Sequence, residues 1–341
     1  MEHYVTLILI LHNRHHNIDR LIDYYQDSAF PIIIADSSIT KHQYKTYNSL
    51  HRHLYSPGVT FTRKIELVLK EVKTPFVVMC ADDDFIVPEA IIECVEFLKK
   101  HPDYSVAQGT CIKFYKNSIM NSNVDFGLLY PIKSFDIELE EPFERLKMMF
   151  DQYRSVLYAV HRTELLQKAF NGASSIITNL YLNEYLTAVV PIFGGKYKEL
   201  ACLYQIREFA EDSDDKITDN IDIIFSVKKY KQERESFLNL LAQNASTILN
   251  EDINRIFKKV SNVLEQFAKS PQVAKKDQNV SVKKRIGQTL QNIPIVGKWL
   301  IERNRKFERA RDLKKLLSTP EDQKQLHKVE SYLKKYAYGI S

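Results

Sequence analysis

The stretch Phe76-Val77-Val78-Met79-Cys80-Ala81-Asp82-Asp83-Asp84 runs an apolar segment straight into three consecutive carboxylates. Adjacent like charges repel and desolvation disfavours ionised carboxylates, so such a cluster at the end of a buried strand needs a positive partner. A divalent cation bound by oxygen ligands, usually alongside substrate phosphates, is the simplest candidate. The competing reading is a solvated acidic turn that caps the helix begun by Pro88. One Asp serves a cap; three exceed that need. Two more polar clusters follow apolar runs: Asn13 and Arg14 come after Val5–Leu11, and Asp36-Ser37-Ser38 comes after Pro31–Ala35.

Positioning these residues requires strands. Each cluster ends a run of strand character, and a helical pattern intervenes, with Ile18, Leu21, Ile22 and Tyr25 in one case and Phe61, Ile65, Val68, Leu69 and Val72 in another. Buried strand, polar turn and helix in alternation predict a parallel α/β sheet. Ligands bind outside the carboxyl ends of such strands, and a nucleotide fits this edge. Neither G-x-G-x-x-G nor G-x-x-x-x-G-K-[ST] occurs, so the dinucleotide and ATPase readings lack their fingerprints. The pattern further predicts a helix between Thr40 and His53, strands over Tyr104–Tyr115 and Val156–Val160, and an irregular stretch over 117–138. Helices are expected over Pro142–Phe150, Thr163–Phe170 and Asn179–Val190, and a strand through Leu203–Ile206 ending at Arg207. The third of these helices carries Glu184 among Leu182, Tyr185 and Leu186. Residues 210–216 are strongly acidic and read as mobile.

Composition divides the chain. Residues 1–215 hold 22 Lys/Arg and 29 Asp/Glu, a balance of −7, whereas residues 216–341 hold 26 and 14, a balance of +12. Domains are therefore expected at 1–216 (catalytic) and 217–341 (helical and basic), the second containing the stripe Ile253, Ile256, Phe257, Val260, Val263, Leu264 and Phe267. Within residues 282–315, Lys283-Lys284-Arg285 and Arg303-Asn304-Arg305-Lys306 flank the only Trp, Trp299. Basic segments with Trp, Phe and Leu opposite suit an anionic membrane surface; a solvated or partner-contacting helix is the alternative. The aromatic positions form no RNA-binding motif, so nucleic acid is not an expected partner. Cys80, Cys94, Cys111 and Cys202 lack zinc-site spacing and read as free thiols in a reducing compartment. Val5–Leu11 is too short to span a bilayer. The expected location is cytoplasmic, with peripheral contact to the inner membrane face.

Leu9-Ile10-Leu11-His12-Asn13-Arg14, Ile33-Ile34-Ala35-Asp36-Ser37-Ser38 and Val78-Met79-Cys80-Ala81-Asp82-Asp83-Asp84-Phe85-Ile86-Val87-Pro88 together resemble three successive motifs of GT-A glycosyltransferases. The likeness covers about residues 4–210 and is nearest to glycosyltransferase family 2 and bacterial relatives that build surface polysaccharides. It implies a GT-A fold, Rossmann-like, with a mostly parallel central sheet flanked by helices, here with a C-terminal helical extension. It implies a nucleotide-sugar donor and a glycan or lipid-linked acceptor. Asp36 would contact the base or ribose, Asp82 the ribose, and Asp84 a Mg²⁺ or Mn²⁺ at the diphosphate. Asp83 would be a second ligand or its outer partner, and Asn13 and Arg14 would lie at the donor pocket. Glu184 best matches the carboxylate that deprotonates the acceptor in inverting members. Apolar surroundings suit such a base, although a surface glutamate is the plain alternative. Arg207 is a phosphate-binding candidate, set against an ordinary ion pair. His161 is either a third metal ligand or a hydrogen-bonded histidine. His12 stands where relatives often carry an aromatic residue, and no late His ligand is evident. Two other functions compete: a sugar-phosphate nucleotidyltransferase, which would need a Gly-rich N-terminal loop, and a non-catalytic scaffold for membrane or partner.

Overall fold

A computed structural model of the chain describes residues 3–44, 49–115, 119, 124–130, 135–209, 221–270, 273, 313, 317 and 319–337. Strand β1 (Val5–Leu11) is buried along its whole length and lies between β2 (Ile32–Asp36) and β4 (Phe76–Ala81), parallel to both. Strand β3 (His51–Tyr55) extends this half beside β2. The other half turns mixed: β8 (Val160–Arg162) runs antiparallel between β4 and β6 (Tyr104–Tyr115), and β9 (Lys196–Phe209) runs parallel to β6. Two short strands, β5 (Phe85–Ile86) and β7 (Phe126–Leu128), pair antiparallel with β9 and β6. The resulting order is β3-β2-β1-β4-β8-β6-β9-β5.

Helices cover both faces, which is why the central strands are continuous apolar runs. Leu7, Leu9, Leu11, Val78 and Cys80 face one cluster with Ile18 and Leu21 of α1 (His15–Tyr24) and Ile91 and Val95 of α3 (Pro88–Lys100). The alternating residues Ile8, Ile10, Val77 and Met79 face the other cluster. It contains Val68 of α2 (Phe61–Glu71), Leu146 of α4 (Pro142–Asp151), Leu166 of α5 (Thr163–Phe170) and Val189 of α6 (Leu180–Gly194). Each fully buried aliphatic side chain of this kind contributes about 1.5–3 kcal/mol. This is a mixed α/β sheet flanked by helices, the α/β architecture that the alternation led one to expect.

The later helices are α7 (Ile221–Ser226), α8 (Lys231–Leu249), α9 (Ile253–Ala268) and α10 (Pro320–Ala337). Leu241 of α8 and Leu264 of α9 belong to the same buried cluster as Leu146 and Val189. The compositional boundary near residue 216 thus separates stretches whose side chains share one core. From the other side, α10 places Val329 and Leu333 in the α1–α3 cluster. Among the described residues no helix is long and apolar enough to cross a membrane.

Several elements differ from expectation. Residues 40–44 and 49–50 are not helical, residues 45–48 of the expected helix lie outside the described residues, and β3 begins at His51. The strand expected over Val156–Val160 begins only at Val160: Val156 and Ala159 are buried in a turn, not in a ladder. Strand β7 lies inside the stretch read as irregular. Helix α6 continues through Pro191 to Gly194. The acidic stretch 210–216 and the basic stretch 282–315, apart from Leu313, lie outside the described residues.

Candidate active site

The carboxyl ends of β1, β2 and β4 share one edge. After Leu11 the chain turns at Asn13, whose φ of 58° is a left-handed conformation that Asn tolerates. This turn is tied to the one after β2: Asn13 N–H donates to Ser38 Oγ at 2.8 Å, and Ile39 N–H donates to the Asn13 side-chain oxygen at 3.0 Å. Asp36 is fully buried and accepts from Ser38 N–H at 2.8 Å; its other oxygen lies 3.0 Å from His53 Nε2 and accepts from Tyr44 Oη at 3.4 Å. Burial alone would raise the Asp36 carboxyl, but the bonds to Ser38 and His53 outweigh it and hold the group below its ordinary value. Tyr44, His42, His51 and His53 help line a cavity of about 300 Å³ beside β2 and β3.

Arginines face the acidic triplet. The Arg14 guanidinium bridges two of its members, with Nε 3.1 Å from Asp82 Oδ2, one terminal nitrogen 2.7 Å from Asp83 Oδ2, and the other against Asp82 Oδ1. Arg20 is buried on α1, donates to the Asp83 carbonyl at 3.0 Å and lies over the Phe85 ring at 4.7 Å. Burial pushes the Asp82 carboxyl up to about 7, opposed by Arg14 and reinforced by Asp83. Asp84 turns away from the other two. It accepts from Gln205 Nε2 and Glu208 N–H, each at 2.9 Å, and Arg207 Nε lies 3.8 Å away. Burial and the Asp83 charge raise its carboxyl well above the usual range.

Arg207, near the end of β9, lies beside Asp84. Burial disfavours its charge, but Asp84, Tyr158, Glu184 and Tyr130 together outweigh that and hold the guanidinium more firmly charged. Glu184 is half-buried and accepts from Tyr153 Oη at 2.8 Å. Helix α6 starts at Asn179, which caps it by accepting from Tyr181 N–H at 2.8 Å.

The structure therefore joins Asn13, Arg14, Asp82 and Asp83 directly and ties Asp36 to them through Ser38; Arg207 lies beside Asp84, and Glu184, on α6, is held by Tyr153. His161 stays apart. It sits inside the sheet opposite Val77, fully buried, with Nε2 2.7 Å from the Val156 carbonyl. Burial lowers its imidazole to about 4 against that bond. The hydrogen-bonded reading of His161 holds, and the metal-ligand alternative fails on position. Sequence reasoning passed over Lys64, Arg20, His53 and Gln205. Lys64 had a signal: it falls on the apolar stripe Phe61, Ile65, Val68, where a lysine must be buried or displaced.

A Mg²⁺ or Mn²⁺ at this edge would meet hard oxygen donors, as those ions require. Asp82 Oδ1 is buried, and its one close partner among the described residues is the Arg14 guanidinium, itself a cation. Each oxygen of Asp84 keeps a second lone pair beyond its present bond. Among the described residues no three His, Cys, Asp or Glu side chains converge as a ready ligand set. Phosphate oxygens and water would complete the shell.

The sequence matches no family model and no curated protein. Among solved structures the chain is similar to residues 1–349 of S. aureus TarS in complex with UDP-GlcNAc, at 12% identity and TM-score 0.49, covering 98% of this chain and 92% of that one. It is similar to the same TarS segment crystallised without a named ligand, at 14% identity and TM-score 0.46, covering 79% and 73%. A third likeness is to that segment in complex with UDP, at 12% identity and TM-score 0.40, covering 80% and 92%.

Proposed function

We propose that this chain is a metal-dependent, inverting glycosyltransferase that moves a sugar from a nucleotide-sugar donor to a glycan or lipid-linked acceptor. One observation carries the reading: three strand ends meet at one sheet edge, where Arg14 bridges the first turn to Asp82 and Asp83 and Asn13 is bonded to the Asp36 turn. In this reading Asp36, with His53 and Tyr44, holds the base or ribose, and Asp82 the ribose. Asn13 and Asp83 border the donor, and Arg14 and Arg207 turn their guanidinium groups to the diphosphate. Asp84 would be the chief ligand of a Mg²⁺ or Mn²⁺, whose positive charge would stabilise the leaving diphosphate. Glu184 takes the proton of the acceptor hydroxyl as the new bond to the anomeric carbon forms on the face opposite the leaving group. The bond to phosphate breaks with its electron pair, and the anomeric configuration inverts. The basic segment 282–315 serves to hold the protein at an anionic membrane surface.

The test is nucleotide release from a panel of UDP-, GDP-, dTDP- and CMP-sugars, with and without Mg²⁺ or Mn²⁺. One donor class is expected to turn over, and Asp84→Ala and chelation should each abolish that turnover. Undiminished turnover in metal-free buffer would remove the metal from the reading. Silence with every donor, together with pyrophosphate release from a nucleoside triphosphate, would replace it with nucleotidyl transfer.

A further inference from the structure

Glu184 sits on a helix that is otherwise almost wholly buried, and the group that fixes its carboxylate comes from elsewhere. Tyr153, in the segment after α4, donates its phenol proton to Glu184 Oε1 at 2.8 Å. The Tyr153 ring is stacked on Phe150, with centroids 5.4 Å apart and an 11° interplanar angle, and it touches Tyr185 at 5.5 Å and Phe267 at 5.3 Å. Phe267 also lies 4.9 Å from Phe150. It comes from the last turn of α9, in the stretch that composition sets apart from the catalytic half. A second tie comes from the same stretch. Glu233 of α8 accepts from Thr178 N–H at 2.7 Å, Thr178 Oγ1 at 2.9 Å and Asn179 N–H at 3.0 Å, at the start of α6.

We infer that the C-terminal helices form part of the catalytic apparatus: Phe267 packs Tyr153 into place, Tyr153 positions the Glu184 carboxylate, and Glu233 fixes the start of its helix. This rests on Glu184 being the acceptor base. An O–H donor to a carboxylate pins one oxygen and leaves the other for an incoming proton. Tyr153 and Phe267 are positioning residues and touch no substrate in this scheme. Positional errors of about 1 Å in a base cost large factors in rate, so the aromatic wall has a kinetic consequence beyond stability.

The experiment uses the full chain and the nucleotide sugar that turns over in the panel, with nucleotide release to water as the readout. Glu184→Gln should abolish turnover with donor KM unchanged. Tyr153→Phe keeps the ring packing and loses only the proton donor. It should lower kcat about ten-fold, the value of one charged hydrogen bond, at unchanged donor KM and unchanged thermal midpoint. Phe267→Leu should lower kcat in the same direction. The double variant should be no slower than Tyr153→Phe alone, because both act through one contact. Full kcat in Tyr153→Phe, a loss confined to donor KM, or additive losses in the double variant would each overturn the inference while leaving the glycosyltransferase reading intact. Full kcat in Glu184→Gln would remove the base assignment itself. Absence of turnover with every donor would remove the functional reading, and the positioning roles would fall with it.

Discussion

Lys64 ties together the two strand ends at the proposed donor edge. It is 3% exposed, and its ammonium donates to the Leu11 carbonyl at 2.7 Å and to Ser37 Oγ at 3.1 Å, the two points where β1 and β2 end. Among the described residues no carboxylate pairs with it, but Asp82 and Asp36 lie within electrostatic range. Burial nevertheless dominates and lowers the group to about 8. The sign follows from proton counts. Between about pH 8 and the ordinary lysine value of 10.5, the unfolded chain holds a proton that the folded chain lacks, so the contribution of Lys64 to stability rises with pH in that window. The free energy of urea unfolding of the unaltered protein, minus that of Lys64→Met, should therefore increase from pH 8 to 10.5. A flat difference would mean that the ammonium is solvated. Lys64→Met should also raise donor KM about ten-fold, because two strand ends lose a shared hydrogen-bond donor.

At the scale of elements, α10 is the clearest case of a distant segment supporting the site. Leu203 N–H donates to Asp322 Oδ1 at 2.8 Å, Lys335 pairs with Asp23 at 2.7 Å, and Tyr332 meets Tyr24 edge-on at 5.4 Å. Asp23 and Tyr24 belong to α1, the helix that carries Arg20 to the Asp83 carbonyl. Removing residues 319–341 exposes the sites of Val329 and Leu333, both essentially fully buried. At about 1.5–3 kcal/mol each, the loss is roughly 3–6 kcal/mol, a large share of a typical folding free energy. The urea midpoint should fall accordingly, and Asp23→Ala should lower it by much less. An unchanged midpoint after truncation would show that α10 is only laid on the surface. The same scale explains what was legible in the sequence. Strands β1, β2 and β4 read clearly because burial on both faces leaves an unbroken apolar run, and α9 read clearly because one buried face leaves a stripe at 3.6 spacing. Strand β8 did not, since Val156 and Ala159 are as buried as ladder residues while their backbone turns. Over its described part, residues 40–44, the helix expected after Thr40 gives way to an irregular stretch in which Tyr44 turns its hydroxyl to Asp36. The counter-charge of the triplet was legible as a need but not as an identity: Arg14 is 68 residues from Asp82, and no local pattern pairs them.

Over the whole molecule, charge and packing divide the chain differently. Packing unites it, with α8 and α9 in the core of α4 and α6. Charge does not: the last part of the chain carries a formal +12 from residue 216 onward, against −7 before it. Within 282–315 the sequence places eleven Lys/Arg against three Asp/Glu, with Trp299 and Phe307 between the basic groups. At an anionic surface each such charge contributes about 1 kcal/mol, and this attraction decays over a Debye length of about 8 Å at physiological salt. Cationic residues alone would therefore give binding that salt removes, whereas inserted Trp and Phe would leave a residue of binding that salt does not. The full chain should sediment with vesicles containing phosphatidylserine in low salt and lose most of that association by about 0.5 M NaCl. Neutral phosphatidylcholine vesicles should capture little. Replacing Lys283, Lys284, Arg285, Arg303, Arg305 and Lys306 by Gln should remove most of the sedimentation without changing nucleotide release from a soluble donor, because the proposed donor edge is built from other residues. Equal sedimentation with neutral vesicles, or full binding by the Gln variant, would rule out an electrostatic membrane contact, and absence of sedimentation with either vesicle would assign the basic stretch to a protein partner or to solvent.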